Sequence, residues 1–364
     1  MSEGLIKKYE TERFIYEAYE KKCVGIVEEL LSEFELQYHV IESRVKTIES
    51  FKNKVKDKRT DGEEVTYITD ITDIVGLRII TFYEDIVDEI TNMLKPEFKV
   101  DEKNSIDKRN KDDRFGYSSV HLILELNNDR VSLPENKKFK GLKFEIQIRS
   151  LLQHAWAVVS HELKYKNEKS FPEEMSRKLA RQSGMLEEVD DNFRSIRDLK
   201  EEYSKKVHND IEKGLLDSPL NEISLENYLI SSRLVSSINS SMMKILNEDA
   251  HEIYSPHNLS LTLEKLLLIN INTLKELDDL LKEKENKLPD FFKQWLNINN
   301  KKLLIAGLPG LPRDTLIYYL CLMVLIEKKD TELYEKYALN FISNTKDEIQ
   351  AFVENARKME AIWS

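Results

Sequence analysis

Cysteine is almost absent from this 364-residue chain. Cys23 and Cys321 stand far apart without the paired spacing of metal ligands, which excludes a disulfide framework and gives no sign of a zinc knuckle. Long apolar runs are missing too: the longest strongly hydrophobic stretch, residues 315–326, is too short to cross a bilayer, and the early residues carry charges instead of an apolar signal core. These absences predict a cytoplasmic protein, neither exported nor membrane-spanning. No adjacent His-Asp pair, internal repeat or low-complexity tract occurs. Basic charge is not in excess either, since 55 Lys and Arg against 66 Asp and Glu leave a net charge of −11. That balance argues against a surface binding nucleic acid all over, while leaving room for a local basic patch.

What is present is a globular composition, 33% charged and 41% hydrophobic, in a chain long enough for two domains. Between about residues 10 and 34, Phe14, Ile15, Ala18, Tyr19, Val24, Ile26 and Val27 recur at helical spacing, predicting one or two amphipathic scaffold helices. Extended and helical signals then alternate. Residues 39–45, 75–82, 98–100, 120–126 and 143–149 read as strands, and 47–58, 84–94, 151–165 and 172–206 as helices, with polar turns at 101–114 and 127–141. The fold class expected is α+β: a mixed sheet of about five strands flanked by helices, occupying residues 1–205. Beyond it, residues 215–364 carry Ser-rich, apolar segments of helical period and are expected to form a separate all-helical domain, regulatory or oligomerising, with possible homo-oligomer contacts through its helices. Residues 303–310 look superficially like a strand feeding a phosphate loop, but the Gly-Lys-Ser/Thr ending is missing. They are read as a break before a capped helix starting near Asp314.

Two stretches of the first domain, Gly116-Tyr117-Ser118-Ser119-Val120-His121 and Phe144-Glu145-Ile146-Gln147-Ile148-Arg149, put an aromatic, hydroxyls, an imidazole, a carboxylate and a guanidinium on neighbouring strands. That mixture suits a nucleotide. In the second, period-2 geometry sends Phe144, Ile146 and Ile148 to a core and Glu145, Gln147 and Arg149 to the other face. Taken alone, this is also the pattern of a strand with a solvated face. Arg44 and Lys46 end an earlier strand, and Ser50 and Lys54 follow at i, i+4 on a helix. Such cations could meet a polyphosphate or simply face water. Asp73 sits at the mouth of an apolar strand from which Arg78 emerges, and charge there needs a partner. An Asp73–Arg78 or Arg78–Glu145 ion pair would also meet that need. His154 and His161, seven apart, share a helix face, but no third ligand at suitable spacing supports zinc.

In order, R-x-K-x-x-x-S-x-x-x-K, D-x-x-G-x-R, G-Y-x-S-x-H, E-x-Q-x-R, then W and H-x-x-x-Y-K run from about residue 40 to 166. This series resembles the RelA/SpoT-type alarmone synthetase domain, which has a nucleotidyltransferase fold and makes (p)ppGpp. The resemblance implies transfer of pyrophosphate from ATP to the 3′-hydroxyl of GDP or GTP, with Mg2+. It implies Asp73 and Glu145 as metal ligands, Glu145 also as general base, Arg44 and Arg78 stacking on adenine, and Lys46, Ser50 and Lys54 on the ATP phosphates. On the acceptor side it implies Tyr117 stacking on the base, His121 and Arg149 near phosphates, and Ser119, Gln147 and His161 nearby. Ser160-His161 replaces the family's frequent Glu-His, and Lys111-Asp112-Asp113-Arg114-Phe115 replaces the Pro-Lys-x-Asn lead-in of many housekeeping synthetases. Acceptor choice therefore stays open. Toxin-like relatives modify tRNA 3′ ends or adenosine nucleotides, and the basic run from Lys52 to Arg59 could grip an RNA backbone. A domain that senses nucleotides without catalysis is a further alternative. With no His-Asp pair, the hydrolase domain of the long bifunctional relatives is expected to be absent.

Overall fold

Alternation of apolar and polar residues along four segments builds the centre of a mixed sheet. The computed structural model describes residues 2–107, 119–164, 172–246, 251–253, 258–299 and 310–363. Its polypeptide divides into two units, Met1–Arg197 and Asp198–Ser364. The division lies inside one helix, ahead of residue 205 where the first domain is expected to end, because the helical pattern after Pro172 runs uninterrupted from Glu173 to Glu212.

The first unit opens with α1 (Ser2–Glu33), β1 (Val40–Val45), α2 (Ile48–Thr60), β2 (Val75–Thr81) and α3 (Glu84–Glu97). It continues through β3 (Phe98–Val100), β4 (Ile106–Asp107), β5 (Val120–Leu126), the short α4 (Asn128–Ser132), β6 (Lys143–Ser150), α5 (Leu151–Lys164) and the start of α6 (Glu173–Glu212). The strands order as β1-β2-β6-β5-β3, with β4 also on β5. This makes six strands where about five were expected, because the polar 101–114 segment contains β4. β2 and β6 run parallel, and the other pairs are antiparallel.

One face of the sheet is the core. Val75, Leu77 and Ile79 of β2, Phe144, Ile146 and Ile148 of β6, and Leu122 and Leu124 of β5 pack in one buried cluster with Tyr9, Tyr19, Val27 and Leu31 of α1, Phe51 and Val55 of α2, and Ile90 and Leu94 of α3. Burying each such side chain contributes about 1.5–3 kcal/mol. No residue after Ile148 belongs to that cluster's buried set. The opposite face carries Glu42, Arg44, Gly76, Arg78, His121, Glu145 and Gln147 in register.

The second unit holds the end of α6 and α7 (Glu222–Ser231), α8 (Arg233–Leu246), α9 (Leu259–Leu268), α10 (Leu274–Lys284), α11 (Leu288–Ile298), α12 (Thr315–Lys328), α13 (Thr331–Phe341) and α14 (Lys346–Trp363). α12 is apolar all round and sits at its centre, with Leu316, Leu320, Cys321 and Leu322 fully buried. Two three-residue strands that the periodicity did not announce, β7 (His251–Ile253) and β8 (Gly310–Pro312), pair in parallel. Asp314 does stand at the N-terminus of α12 but makes no capping bond; its Oδ2 accepts instead from the Asn258 amide at 3.0 Å. Among the described residues no helix is long and apolar enough to cross a membrane.

Candidate active site

Helix α1 pins the junction of β1 and α2 to the core. Tyr9 donates its hydroxyl to the Lys46 carbonyl at 2.5 Å, and its ring stacks on Phe51 at 4.2 Å. Thr47 caps α2, accepting from the Ser50 amide at 3.1 Å and donating to the Ser50 hydroxyl at 2.9 Å. Such a cap is worth about 1 kcal/mol, and it sets Ser50 on the first turn with Lys54 one turn on. Both lysines then meet one carboxylate. Lys46 Nζ donates to Asp73 Oδ2 at 3.0 Å, and Lys54 Nζ stands 3.6 Å from the same oxygen. Asp73 Oδ1 is buried with no hydrogen-bond partner. Leaving such an oxygen without a donor costs about 1–3 kcal/mol, and a bound cation would relieve that cost.

Three residues after Asp73, which lies in the turn leading into β2, Gly76 begins the floor of a cleft. Register sets Arg44 opposite Gly76 and Glu42 opposite Arg78 on one side, Glu145 opposite Gly76 and Gln147 opposite Arg78 on the other. These six residues line a cleft of about 360 Å³. A Cβ at Gly76 would lie 3.7 Å from Arg44 Cγ and Nε, so the Arg44 side chain lies across bare backbone. Arg44 and Arg78 stand on rows two residues apart, about 7 Å, a spacing that admits a planar ring between two guanidinium groups.

Neither ion pair considered for Arg78 forms. Arg78 Nη1 donates to Glu42 Oε2 at 2.6 Å, because antiparallel pairing of β1 with β2 puts Glu42 directly across from it, while the parallel β6 offers Gln147 at that row. Arg78 Nε is buried without a partner. Glu145 meets His121 instead: Nδ1 lies 2.8 Å from Glu145 Oε1, and Nε2 lies 2.9 Å from Ser119 Oγ.

Arg149 shares the polar face of β6, yet it is buried, not solvated. Its Nη2 donates to Gln147 Oε1. Burial, reinforced by the Arg78 charge, pulls its pKa down to about 10, which leaves it cationic at neutral pH. His161 lies exposed on α5 and is not among the cleft-lining residues. Tyr117 falls outside the described residues, as do Tyr165, Lys166 and the segment 303–309.

Glu42 has no place in the sequence reading, and His154 has one only as a zinc candidate. Glu42 is legible in hindsight, since it sits two before Arg44 in an extended segment and so shares its face. His154 lies on α5. Its Nδ1 is buried without a partner, and burial, followed by the Arg78 and Arg149 charges, pulls its pKa below the ordinary imidazole value. Among the described residues, no three acidic, imidazole or thiol groups converge to hold a metal ion. Mg2+ asks for less, since one or two carboxylates together with substrate phosphates suffice. Asp73 and Glu145 carry carboxylates that would suit it, and the unpartnered Asp73 Oδ1 fits the need.

A family model described as a region found in RelA/SpoT proteins matches residues 43–170. The chain is 31% identical over 172 residues to the GTP pyrophosphokinase YjbM of Bacillus subtilis (strain 168), covering 46% of this chain and 77% of that protein. It is 29% identical over 160 residues to the GTP pyrophosphokinase YwaC of the same organism, covering 43% and 71%. Among solved structures, the small alarmone synthetase 1 from Bacillus subtilis covers 53% of this chain and 99% of its own at 26% identity, with a TM-score of 0.43.

Proposed function

The chain belongs to the RelA/SpoT family of pyrophosphotransferase enzymes, and from that premise we propose that it moves pyrophosphate from ATP to the 3′-hydroxyl of GDP or GTP, releasing AMP. The observation that carries the reading is Asp73, gripped through Oδ2 by Lys46 and Lys54 while Oδ1 stays buried and unpartnered at the end of the strand that floors the cleft. Two cations and one cation-seeking oxygen together suit a metal-bound polyphosphate.

In this reading the donor base stacks between Arg44 and Arg78, for which a planar guanidinium is suited and an ammonium is not. The donor phosphates extend along the sheet to Lys46, Ser50 and Lys54. Asp73 and Glu145 are the residues that hold Mg2+, which when bound neutralises charge on the phosphoryl oxygens. Glu145 accepts the proton of the acceptor 3′-hydroxyl as that oxygen attacks the β-phosphorus in line. The bond from the β-phosphorus to the α,β-bridging oxygen breaks, and AMP departs with its electron pair. Lys46, Lys54 and Arg149 offset negative charge along that path. Tyr117 stacks on the acceptor base. Both curated relatives are GTP pyrophosphokinases, which favours a guanosine acceptor over tRNA, and the net charge of −11 leans the same way.

Purified full-length protein incubated with ATP, Mg2+ and either GDP or GTP should yield AMP and a guanosine nucleotide pyrophosphorylated at the 3′ position. No product with either acceptor would overturn the reading. Labelled pyrophosphate appearing on tRNA instead would keep the chemistry and change the acceptor.

A further inference from the structure

The edge of the sheet at β5 is not a plain strand. Both β3 and β4 pair with β5, with Val100 opposite Leu124 and Ile106 opposite His121, so residues 101–105 bulge out against only Leu122 and Ile123. A bulge beside a site re-aims the chain that leaves it. Here that chain is the two-residue β4, whose Asp107 is opposite Val120, and the segment carrying Tyr117 runs between those two residues. A stem of two residue pairs holds little by itself. The bulge has to fix it, and the bulge is organised around Asp101. The Asp101 amide donates to the Ile123 carbonyl at 2.8 Å, and the Asp101 carbonyl accepts from the Ser105 amide at 2.9 Å. Asp101 Oδ2 accepts from Asn104 Nδ2 at 2.8 Å, and Ser105 Oγ accepts from the Ile123 amide at 2.9 Å.

One cation reaches that bulge from inside the sheet. Lys143 stands two residues before Glu145 on the same face of β6, and its ammonium reaches across β5: Nζ lies 2.7 Å from Asp101 Oδ2 and 4.0 Å from Glu125 Oε1. With the Lys143 and Asp101 side chains only 25% and 15% exposed, water screens this pair less than a surface ion pair. We propose that Lys143 is a positioning residue for the acceptor: by binding Asp101 it locks the 101–105 bulge, and through β4 it sets where the Tyr117 segment leaves the sheet relative to Glu145. The proposal rests on the acceptor and base roles given to Tyr117 and Glu145 above. Arg44, Lys46, Lys54 and Arg78, which serve the donor, stand on or beside β1, α2 and β2. The clamp therefore acts on the acceptor half of the site alone.

Two near-isosteric replacements test the clamp. Lys143→Met keeps the length of the side chain and removes the charge, whereas Asp101→Asn keeps an oxygen for Asn104 and removes the charge that Lys143 binds. In the full-length chain each should raise the KM for GDP about tenfold, because a hydrogen bond between charged groups is lost, and leave the KM for ATP within about twofold of wild type. The double variant should be no worse than the poorer single, since both remove one interaction. Lys143→Arg keeps the cation and should stay within about threefold of wild type. Hydrogen–deuterium exchange should be faster over residues 101–107 in both single variants and unchanged over β1 and β2. An unchanged KM for GDP, an equal rise in the KM for ATP, or additive effects in the double variant would overturn the proposal. Exchange over 101–107 like that of wild type would also overturn it. If wild type makes no guanosine product, the function reading fails on its own, and the exchange comparison still decides whether Lys143 locks the bulge.

Discussion

Removing the Glu42 carboxylate should weaken ATP binding, although it makes the cleft more positive. Glu42→Gln frees Arg78 from its 2.6 Å ion pair. The two side chains are 30% and 48% exposed, so the pair falls in the class worth about 0.2–1 kcal/mol. If that energy is what holds the Arg78 guanidinium in a stacking orientation, its loss raises the KM for ATP by about 1.4- to 5-fold, using an RT of about 0.6 kcal/mol. The opposing effect is electrostatic. Glu42 lies four residues along β1 from Lys46, about 13 Å at strand rise. At that distance in screened, water-like surroundings, one unit charge acts on a doubly charged Mg–ATP with about 0.1 kcal/mol. Orientation should therefore win. Steady-state kinetics with ATP varied and GDP saturating would show the KM for ATP rising, kcat unchanged within about twofold, and the KM for GDP unaffected. A fall in the KM for ATP, disappearing at high salt, would refute the argument and make Glu42 an electrostatic brake. An unchanged KM beside a raised one in Arg78→Ala would show that Arg78 needs no partner.

Replacing Glu145 with Gln should lower kcat by about 100-fold or more if it is the general base, with an unchanged circular dichroism spectrum; turnover like wild type would refute that role. Phe144→Ala should cost about 3–5 kcal/mol of stability, measured by denaturant unfolding of the sheet unit, because Phe144 is completely buried between Tyr19 and Phe98. His154 titrates below its ordinary value of about 6.5 in the folded chain. The unfolded chain therefore binds the proton more readily there, and stability is lost as pH falls from about 6.5 towards the depressed value. His154→Asn should flatten the decline in Tm between about pH 7 and pH 5, which differential scanning fluorimetry would show. A decline of the same slope in both proteins would place the relevant proton elsewhere.

Much of the first unit is written locally. Alternation in residues 143–150 separates Phe144, Ile146 and Ile148 from Glu145, Gln147 and Arg149 whatever the neighbours are, because successive side chains on a strand must point to opposite faces. The helical spacing around Tyr19, Ile26 and Val27 likewise brings out α1 as a core-covering helix. The motif series from Arg44 to Arg149 places the acids and cations of the candidate site on named elements before any contact is known. Other features had no such local signal. β4 hides in a polar loop, since its pairing comes from β5 and not from its own composition. The division into units falls inside α6, where helical periodicity continues regardless of which core each turn faces.

The sequence by itself determined which side chains share the functional face of the sheet and what chemistry they can do. That follows from periodicity and residue type, both local properties of the chain. Which partner each one takes was decided only by tertiary structure. Arg78 bonds Glu42 because β1 runs antiparallel to β2 in one particular register. Glu145 bonds His121 because β5 places it diagonally across from β6. Asp73 gives one oxygen to Lys46 and Lys54 and keeps the other buried because α1 pins the turn that carries Lys46. Register is a long-range quantity, set by how sheet and helices bury their apolar faces together, and the geometry of the candidate site inherits it.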